Sequence, residues 1–300
     1  MIGLQYQIRL CPALQKKPTK DTYEASPSQS DTTNEKKDFD PFTPPYNEKL
    51  YVGELIDEES LEEFVILLNK YSVVPHHFLM VTKEFKSQAS PPMPAELVQA
   101  YLLLSAARKS GRKFFSFYNC GKNSGASQAH KHIQFLPLLD NEYGPPIEIL
   151  AKNAQIQFPD RPFSLDQLSY ANHCYRFPPG LDAYNLPDLE SFLASAFLQI
   201  LDLAISTIRH DPDYPVGSPS YNVILTLEHM HIVPRCKEDH TLEETGDKLS
   251  VNALGYAGML LVKSEEELEA VKREGTRKIL RDVGLESVHH IQIEGSSQCS

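Results

Sequence analysis

Between Asn119 and Leu138 the chain passes from a run of small residues, CGKNSGASQA, directly into HKHIQFL, where side chains of different character alternate. A period of two belongs to a β-strand, whose successive side chains point to opposite faces. His130, His132 and Gln134 then share one face, and Lys131, Ile133 and Phe135 share the other. This predicts a sheet that carries two imidazoles and an amide on one surface, facing a cleft.

The rest of the chain suits such a sheet. Short apolar runs at Tyr51–Ile56, Phe64–Leu68, Val73–Val81 and Phe114–Tyr118 predict strands, and His130–Leu138 predicts another. Pro94–Lys109 places Leu97, Tyr101, Leu104 and Ala107 on one helical face, with Gly111 to stop it. After a proline-rich crossing over residues 139–187 come a second amphipathic helix at Asp188–Arg209 and strands at Tyr221–Leu227, Met230–Pro234, Ala257–Val262 and Val288–Ile293. Ser264 and Glu267 form a capping-box pattern opening a helix to about Asp282. The predicted fold class is therefore α+β: an antiparallel sheet with flanking helices, in two related halves, residues 1–165 and 166–300, sharing one cleft. A short strand-like opening precedes Lys16–Lys37, which is polar and without period and is expected to be a mobile surface segment.

Composition excludes several function classes. A net charge of −11 works against a long nucleic acid, which needs clustered cations to neutralise phosphates, whereas a short polyphosphate needs only a few local donors. No apolar run approaches the roughly 18 residues of a membrane span, and Met1–Leu10 lacks the pattern of a secretory signal. The 5 cysteines are odd in number and scattered, with no Cys-x-x-Cys pair, so neither a disulfide framework nor a zinc cage is expected. These features predict a soluble chain of the cytoplasm, with the nucleus also open to it. Walker-type and dinucleotide-binding glycine patterns are absent, which leaves kinase and dehydrogenase readings without support.

The loop before the alternating strand points to an anion. Gly121 and Gly125 permit unusual backbone conformations, and Ser124, Ser127 and nearby amides can turn toward one phosphate. An imidazole beside such a cradle, with one nitrogen held by a hydrogen bond, presents the other as a nucleophile. His132, at the centre of the polar row, is the candidate.

These residues resemble the fungal-type diadenosine tetraphosphate phosphorylases, or ATP adenylyltransferases, of the histidine-triad superfamily. The resemblance is carried by DPFTPPYNEKLYVGEL (Asp40–Leu55), LLNKYSVVPHHFLMVTKEF (Leu67–Phe85), FYNCGKNSGASQAHKHIQFLP (Phe117–Pro137), SYNVILT (Ser220–Thr226) and GYAGMLLVK (Gly255–Lys263). It implies a histidine-triad-like fold, His132 as nucleophile, and Gln134 in the place of a third His, with His130 completing the catalytic row. It places Asn119, Gly125 and Ser127 around the α-phosphate, with Ser124 and Gln128 of the same loop as further substrate contacts. Asn69 falls where relatives hold the ribose hydroxyls, although a turn Asn is an equal alternative. Ala129 departs from the pattern, standing where Pro is expected before His130.

The resemblance further implies reversible phosphorolysis of diadenosine tetraphosphate to ADP and ATP, ADP formation from adenylyl sulfate, and a divalent cation, magnesium, that accompanies the polyphosphate. The expected partners are nucleotides and inorganic phosphate, with neither nucleic acid nor membrane. Gln134 suits this chemistry, because ATP leaves as a stable anion and phosphate is already a nucleophile, so no proton needs trading. Two alternatives remain: another nucleotidyl transferase or hydrolase of the hexose-phosphate uridylyltransferase kind, which shares the His-x-His-x-Gln pattern, and a nucleotide-sensing protein without turnover.

His229 and His231 alternate beside Glu228 and form a lesser candidate for a second nucleophilic pair or two metal ligands. His76-His77 and His289-His290 place neighbours on opposite faces, and are read as structural. Lys37, just before Asp40-Pro-Phe, is a candidate contact to the polyphosphate tail. No dedicated metal cage is encoded. Base preference, reaction direction and oligomeric state are not written in any motif.

Overall fold

The computed structural model describes residues 4–16, 40–138 and 144–287. Lys37, His289, His290 and the strand predicted at Val288–Ile293 lie outside them, as does the predicted mobile segment beyond Lys16. Strands β1 (Gln7–Leu10), β2 (Tyr51–Ile56), β3 (Glu63–Leu68) and β4 (Phe78–Thr82) precede helix α1 (Pro94–Lys109) and strands β5 (Phe114–Cys120) and β6 (His132–Pro137). Helix α2 (Pro146–Asn153) and β7 (His173–Arg176) lead to helix α3 (Leu186–His210), β8 (Ser220–Leu225) and β9 (His229–Arg235). Then follow β10 (Asp239–Thr241), β11 (Lys248–Ser250), α4 (Ala253–Ala257), β12 (Met259–Val262), α5 (Glu265–Glu274) and α6 (Thr276–Val283).

The fold class is α+β, as expected. An antiparallel sheet of 8 strands runs β2-β3-β4-β6-β5-β8-β9-β7, with helices on its faces. The order helix, strand, strand occurs twice, as α1-β5-β6 and α3-β8-β9, and β5 pairs with β8 so that both units share one sheet.

The alternation in β6 sorts the two faces. Ile133 and Phe135 enter a core with Leu97, Tyr101 and Leu104 of α1 and Leu193, Phe197 and Ile200 of α3. Lys131 points the same way, and its ammonium meets Glu96 of α1 at 2.7 Å with both side chains only 2% exposed. Glu96 also accepts from the Met93 amide at 2.8 Å, so one carboxylate caps α1 and pins the strand beneath it. The opposite face packs Phe115, Phe117 and Ile224 against α2, α4, β12, α5 and α6.

Several predicted boundaries move. The strand predicted over Val73–Val81 begins only at Phe78, because His76 takes a left-handed φ of 64°. His130 makes an isolated bridge to Ser87, and regular pairing begins at His132. Residues 253–257 are helical, so the strand predicted from Ala257 starts at Met259. The helix opened by Ser264, whose hydroxyl accepts from the Glu267 amide at 3.1 Å, is broken at Gly275 into α5 and α6. Helix α3 is long and apolar enough to cross a membrane, contrary to the expectation that no segment is. It buries Leu189, Leu193, Ala196, Phe197, Ile200, Ala204 and Ile208 on one face and carries Asp188, Glu190 and Asp202, the pattern of an amphipathic helix packed on a sheet.

Candidate active site

Strand β6 lies between β4 and β5, with His132 opposite Val81, and Gln134 opposite Leu79 and Phe117. Backbone and ring of His132 are both fixed. Its amide donates to Gln88 Oε1 at 2.7 Å, while Gln88 Nε2 donates to the Asn119 carbonyl at 2.8 Å. Ring Nδ1 of His132 lies 2.8 Å from the His130 carbonyl, which can only accept. Nδ1 therefore carries the proton, and Nε2 is the basic nitrogen of the neutral ring.

His130 is arranged differently. Its Nδ1 meets Asp40 Oδ2 at 2.7 Å and its Nε2 meets the Thr82 carbonyl at 2.7 Å. Both nitrogens are engaged by the fold, so His130 braces the row. Burial pushes the Asp40 carboxyl up, but hydrogen bonds from the Phe42 amide, His130 and Thr43 hold it below the ordinary carboxylate range.

Among the described residues His132 is buried, at 4% exposed, instead of facing the expected open cleft. Phe42 lies 5.2 Å from its ring centre and 5.9 Å from that of His130, anchored in a cluster with Val65, Leu67, Leu79 and Val81. An apolar cover excludes water from the imidazole and strengthens nearby electrostatic contacts. A cavity of about 470 Å³ opens elsewhere, at residues 153–167, and none of the expected site residues lines it.

The loop between β5 and β6 is shaped by the second half of the chain. Gly125 has φ +78°, and a Cβ there would stand 2.5 Å from the Val251 carbonyl. The amide of Asn123 donates to Ser220 Oγ at 3.1 Å and its side chain to the Cys236 carbonyl at 2.9 Å. Beneath the loop, the wholly buried Arg235 donates to the Ser124 carbonyl at 3.2 Å and to Asn222 Oδ1 at 2.7 Å.

Two expected substrate contacts make hydrogen bonds within the fold. Asn119 Oδ1 accepts from Asn222 Nδ2 at 2.8 Å and from the Ala253 amide at 3.0 Å, and the Ser124 hydroxyl donates to the Gly121 carbonyl at 2.6 Å. Both side chains are buried and hold the loop's shape. Ser127 is exposed and Gln128 half-buried, and the amides of residues 125–128 make no hydrogen bond among the described residues. A rigid loop with uncommitted amides is what an anion cradle requires.

Asn69 and Gln134 are brought together by a residue read as structural. His77 Nε2 lies 3.1 Å from Gln134 Oε1, and Asn69 Nδ2 lies 3.2 Å from Nε2 and 3.4 Å from Nδ1 of the same ring. Sequence reasoning also assigned no role to Gln88, Asp40, Phe42 or Arg235. For Asp40, Phe42 and His77 the only signal was their place inside quoted stretches, and Gln88 and Arg235 gave none, because their partners are distant in sequence.

The second His pair is otherwise engaged. His229 Nδ1 meets Glu148 Oε1 at 2.8 Å and its Nε2 accepts from Arg176 Nε at 3.0 Å. Burial would raise the Glu148 carboxyl, yet the bonds and charge of His229 and His231 bring it down to about 2. Glu148, Glu228 and His229 gather potential ligand atoms within 4.8 Å of one another. Arg176 and Lys152, which pairs with Glu228 at 2.9 Å, place two cations there already. Both ring nitrogens of His229 are thus engaged by the fold, and the carboxylates already have cationic neighbours.

Comparison with known proteins agrees with the resemblance. Residues 1–153 match the Ap4A phosphorylase N-terminal domain and residues 166–286 the ATP adenylyltransferase C-terminal domain. The chain is 31% identical over 275 residues to diadenosine 5',5'''-P1,P4-tetraphosphate phosphorylase 2 of Saccharomyces cerevisiae, covering 88% of this chain and 78% of that one. It is 29% identical to Protein APA1 of the same yeast, over 82% of this chain and 75% of that one. The crystal structure of yeast Ap4A phosphorylase Apa2 in complex with Ap4A superposes with a TM-score of 0.66 at 30% identity, over 84% of this chain and 82% of that one. A further structure of the same enzyme holds AMP and gives a TM-score of 0.69 at 32% identity, over 82% of this chain and 80% of that one. With both halves matched in order, the chain belongs to the Ap4A phosphorylase and ATP adenylyltransferase family of nucleotidyltransferases.

Proposed function

We propose that this chain cleaves diadenosine tetraphosphate with inorganic phosphate, giving ADP and ATP through an adenylyl-His132 intermediate, and that it runs in both directions. Nε2 of His132 attacks the α-phosphorus, and the bond to the bridging oxygen breaks with its electron pair leaving on ATP. An oxygen of inorganic phosphate then attacks the same phosphorus, the N–P bond breaks, and the pair returns to Nε2 as ADP departs. With adenylyl sulfate the leaving group is sulfate and the second step is unchanged. Amides of residues 125–128 hold the non-bridging oxygens, and Ser127 and Gln128 stand at the rim of that cradle.

The observation that carries this is the tautomer of His132. Its Nδ1 is tied to the His130 carbonyl at 2.8 Å, while both nitrogens of His130 are engaged. The names of the yeast relatives support the choice of substrate.

A divalent cation belongs with the polyphosphate as its counter-ion. Among the described residues the carboxylate beside the row is Asp40, already bonded to His130, Phe42 and Thr43, so the chain offers no ligand set of its own there.

The test is product analysis with labelled diadenosine tetraphosphate. ADP and ATP should form only when phosphate is present, and mass spectrometry should place one phosphoramidate on His132. His132→Ala should lose that adduct and turnover while still binding nucleotide. AMP and ATP produced without phosphate, or an adduct on another residue, would overturn it.

A further inference from the structure

Arg235 is wholly buried, and each of its N–H groups is engaged. Nε donates to the Val283 carbonyl at 3.1 Å, Nη1 to the Ser124 carbonyl at 3.2 Å and to Asn222 Oδ1 at 2.7 Å, and Nη2 to the carbonyls of Lys237 at 2.7 Å and Glu238 at 3.3 Å. All five acceptors are neutral, four of them backbone carbonyls. A guanidinium stays charged in a protein, so this one is fully hydrogen-bonded and yet meets no counter-charge through these bonds. Burying a charge in that way is costly, and a fold that needed only to pack would be better served by a carboxylate among the acceptors.

These donors fix what lies above them. Arg235 can only donate, so Asn222 turns its Oδ1 to the guanidinium, and its NH2 reaches Asn119 Oδ1 at 2.8 Å and the Ser124 carbonyl at 2.9 Å. Asn119 is held in the same sense from its other side, because its Oδ1 also accepts from the Ala253 amide at 3.0 Å. The Ser124 carbonyl thus takes two donors from beneath the loop, one from Arg235 and one from Asn222. Its peptide to Gly125 is trans, and in a planar trans peptide the N–H points opposite to the C=O. The Gly125 amide is therefore turned away from Arg235, and it makes no hydrogen bond among the described residues. At φ +78° a glycine sits where a turn peptide can flip over, so the two bonds to the carbonyl decide which way this one faces.

We propose that Arg235 is a positioning residue for the anion cradle: with Asn222 it locks the Ser124–Gly125 peptide so that the Gly125 N–H faces the bound phosphate, and its own unpaired charge finds its counter-charge in that phosphate. This rests on the function proposed above. Donors on the carbonyl polarise the peptide and make its N–H a stronger donor in turn, so the cation acts through one peptide group without touching the ligand. The consequence is selective: a nucleoside that carries a phosphate gains from Arg235, and one that lacks a phosphate does not.

One arm of the test needs neither turnover nor ligand. In full-length protein, hydrogen exchange should be fast at the Gly125 amide and slow at the amides of Asn123 and Ala253, which donate to Ser220 Oγ and Asn119 Oδ1. Exchange at Gly125 as slow as at Ala253 would overturn the proposal, whatever the substrate proves to be. The second arm measures AMP and adenosine binding by calorimetry in wild type, Arg235→Met and Asn222→Asp, the last of which supplies the missing counter-charge and removes both amide donors. AMP affinity should fall by about ten-fold or more in each variant, while adenosine affinity stays within about three-fold of wild type. A merely structural fault weakens both ligands alike, so equal losses for AMP and adenosine would refute the role, as would unchanged AMP affinity. If neither variant folds, wild-type protein decides: AMP should shift the Gly125 amide proton downfield, and a resonance unmoved at saturation refutes the lock. If wild type binds no AMP at all, the functional proposal fails while hydrogen exchange still tests the peptide's orientation.

Discussion

Replacing Gln88 by Leu tests whether His132, the proposed nucleophile, is held by its backbone. Gln88 is 4% exposed and joins the His132 amide at 2.7 Å to the Asn119 carbonyl at 2.8 Å, across segments that share no regular pairing with it. Leu keeps most of the volume and removes these two bonds, along with the longer one from Nε2 to the His132 carbonyl at 3.3 Å. A buried backbone group left without a partner costs about 1–3 kcal/mol, so the two together predict a loss of roughly 2–6 kcal/mol. Total stability is on the order of 5–15 kcal/mol, so the variant should fold yet melt on the order of 5–15 °C lower. Release of His132 from its position should cost about 10- to 100-fold in kcat, the scale on which small misplacements act. Gln88→Glu is the informative companion. Its carboxylate still accepts from the His132 amide but directs lone pairs at the Asn119 carbonyl, so it should fail at neutral pH and partly recover as the pH falls and the carboxyl gains a proton. Thermal melts and single-turnover adenylylation measure both effects. A Leu variant that melts within about 2 °C of wild type with unchanged kcat would refute the anchoring role.

Two further predictions concern the loop and the sheet edge. Gly125→Ala must place a methyl 2.5 Å from the Val251 carbonyl at φ +78°, and should cut phosphorolysis by about ten-fold or more; Gly111→Ala, with a similar φ of +75° but open space around it, should cost only about 1 kcal/mol of stability and leave the rate alone, so equal rates in the two variants would count against the cradle. Burial lowers His173 from its ordinary 6.5 to about 4, so between these values the unfolded chain takes up a proton that the folded one refuses, and stability is lost as the pH falls. At about 1.4 kcal/mol per pH unit the loss approaches roughly 3 kcal/mol near pH 4. Urea midpoints of His173→Gln, which cannot titrate but can still bond Thr207, should fall less steeply from pH 7 to 4; parallel curves would show that another group is responsible.

What the sequence determined by itself is local. The period of two in HKHIQF places His132 and Gln134 on one face and Lys131, Ile133 and Phe135 on the other, because strand geometry admits no other arrangement. The bounds of α1, from Pro94 to Lys109, were equally legible, since proline can open a helix and the apolar period needs only neighbours along the chain. Tertiary structure decided that both nitrogens of His130 are engaged and where the His132 amide is held. That depends on Asp40, Thr82 and Gln88, residues 44 to 90 positions away, and a hydrogen-bond partner at that separation leaves no periodic trace. It also turned Asn119 and Ser124 inward and laid Phe42 over the ring. Whether a polar side chain faces a ligand or its own protein is fixed by what packs on the other side of the loop, and here that is supplied by Asn222, Arg235 and Ala253 from the second half of the chain.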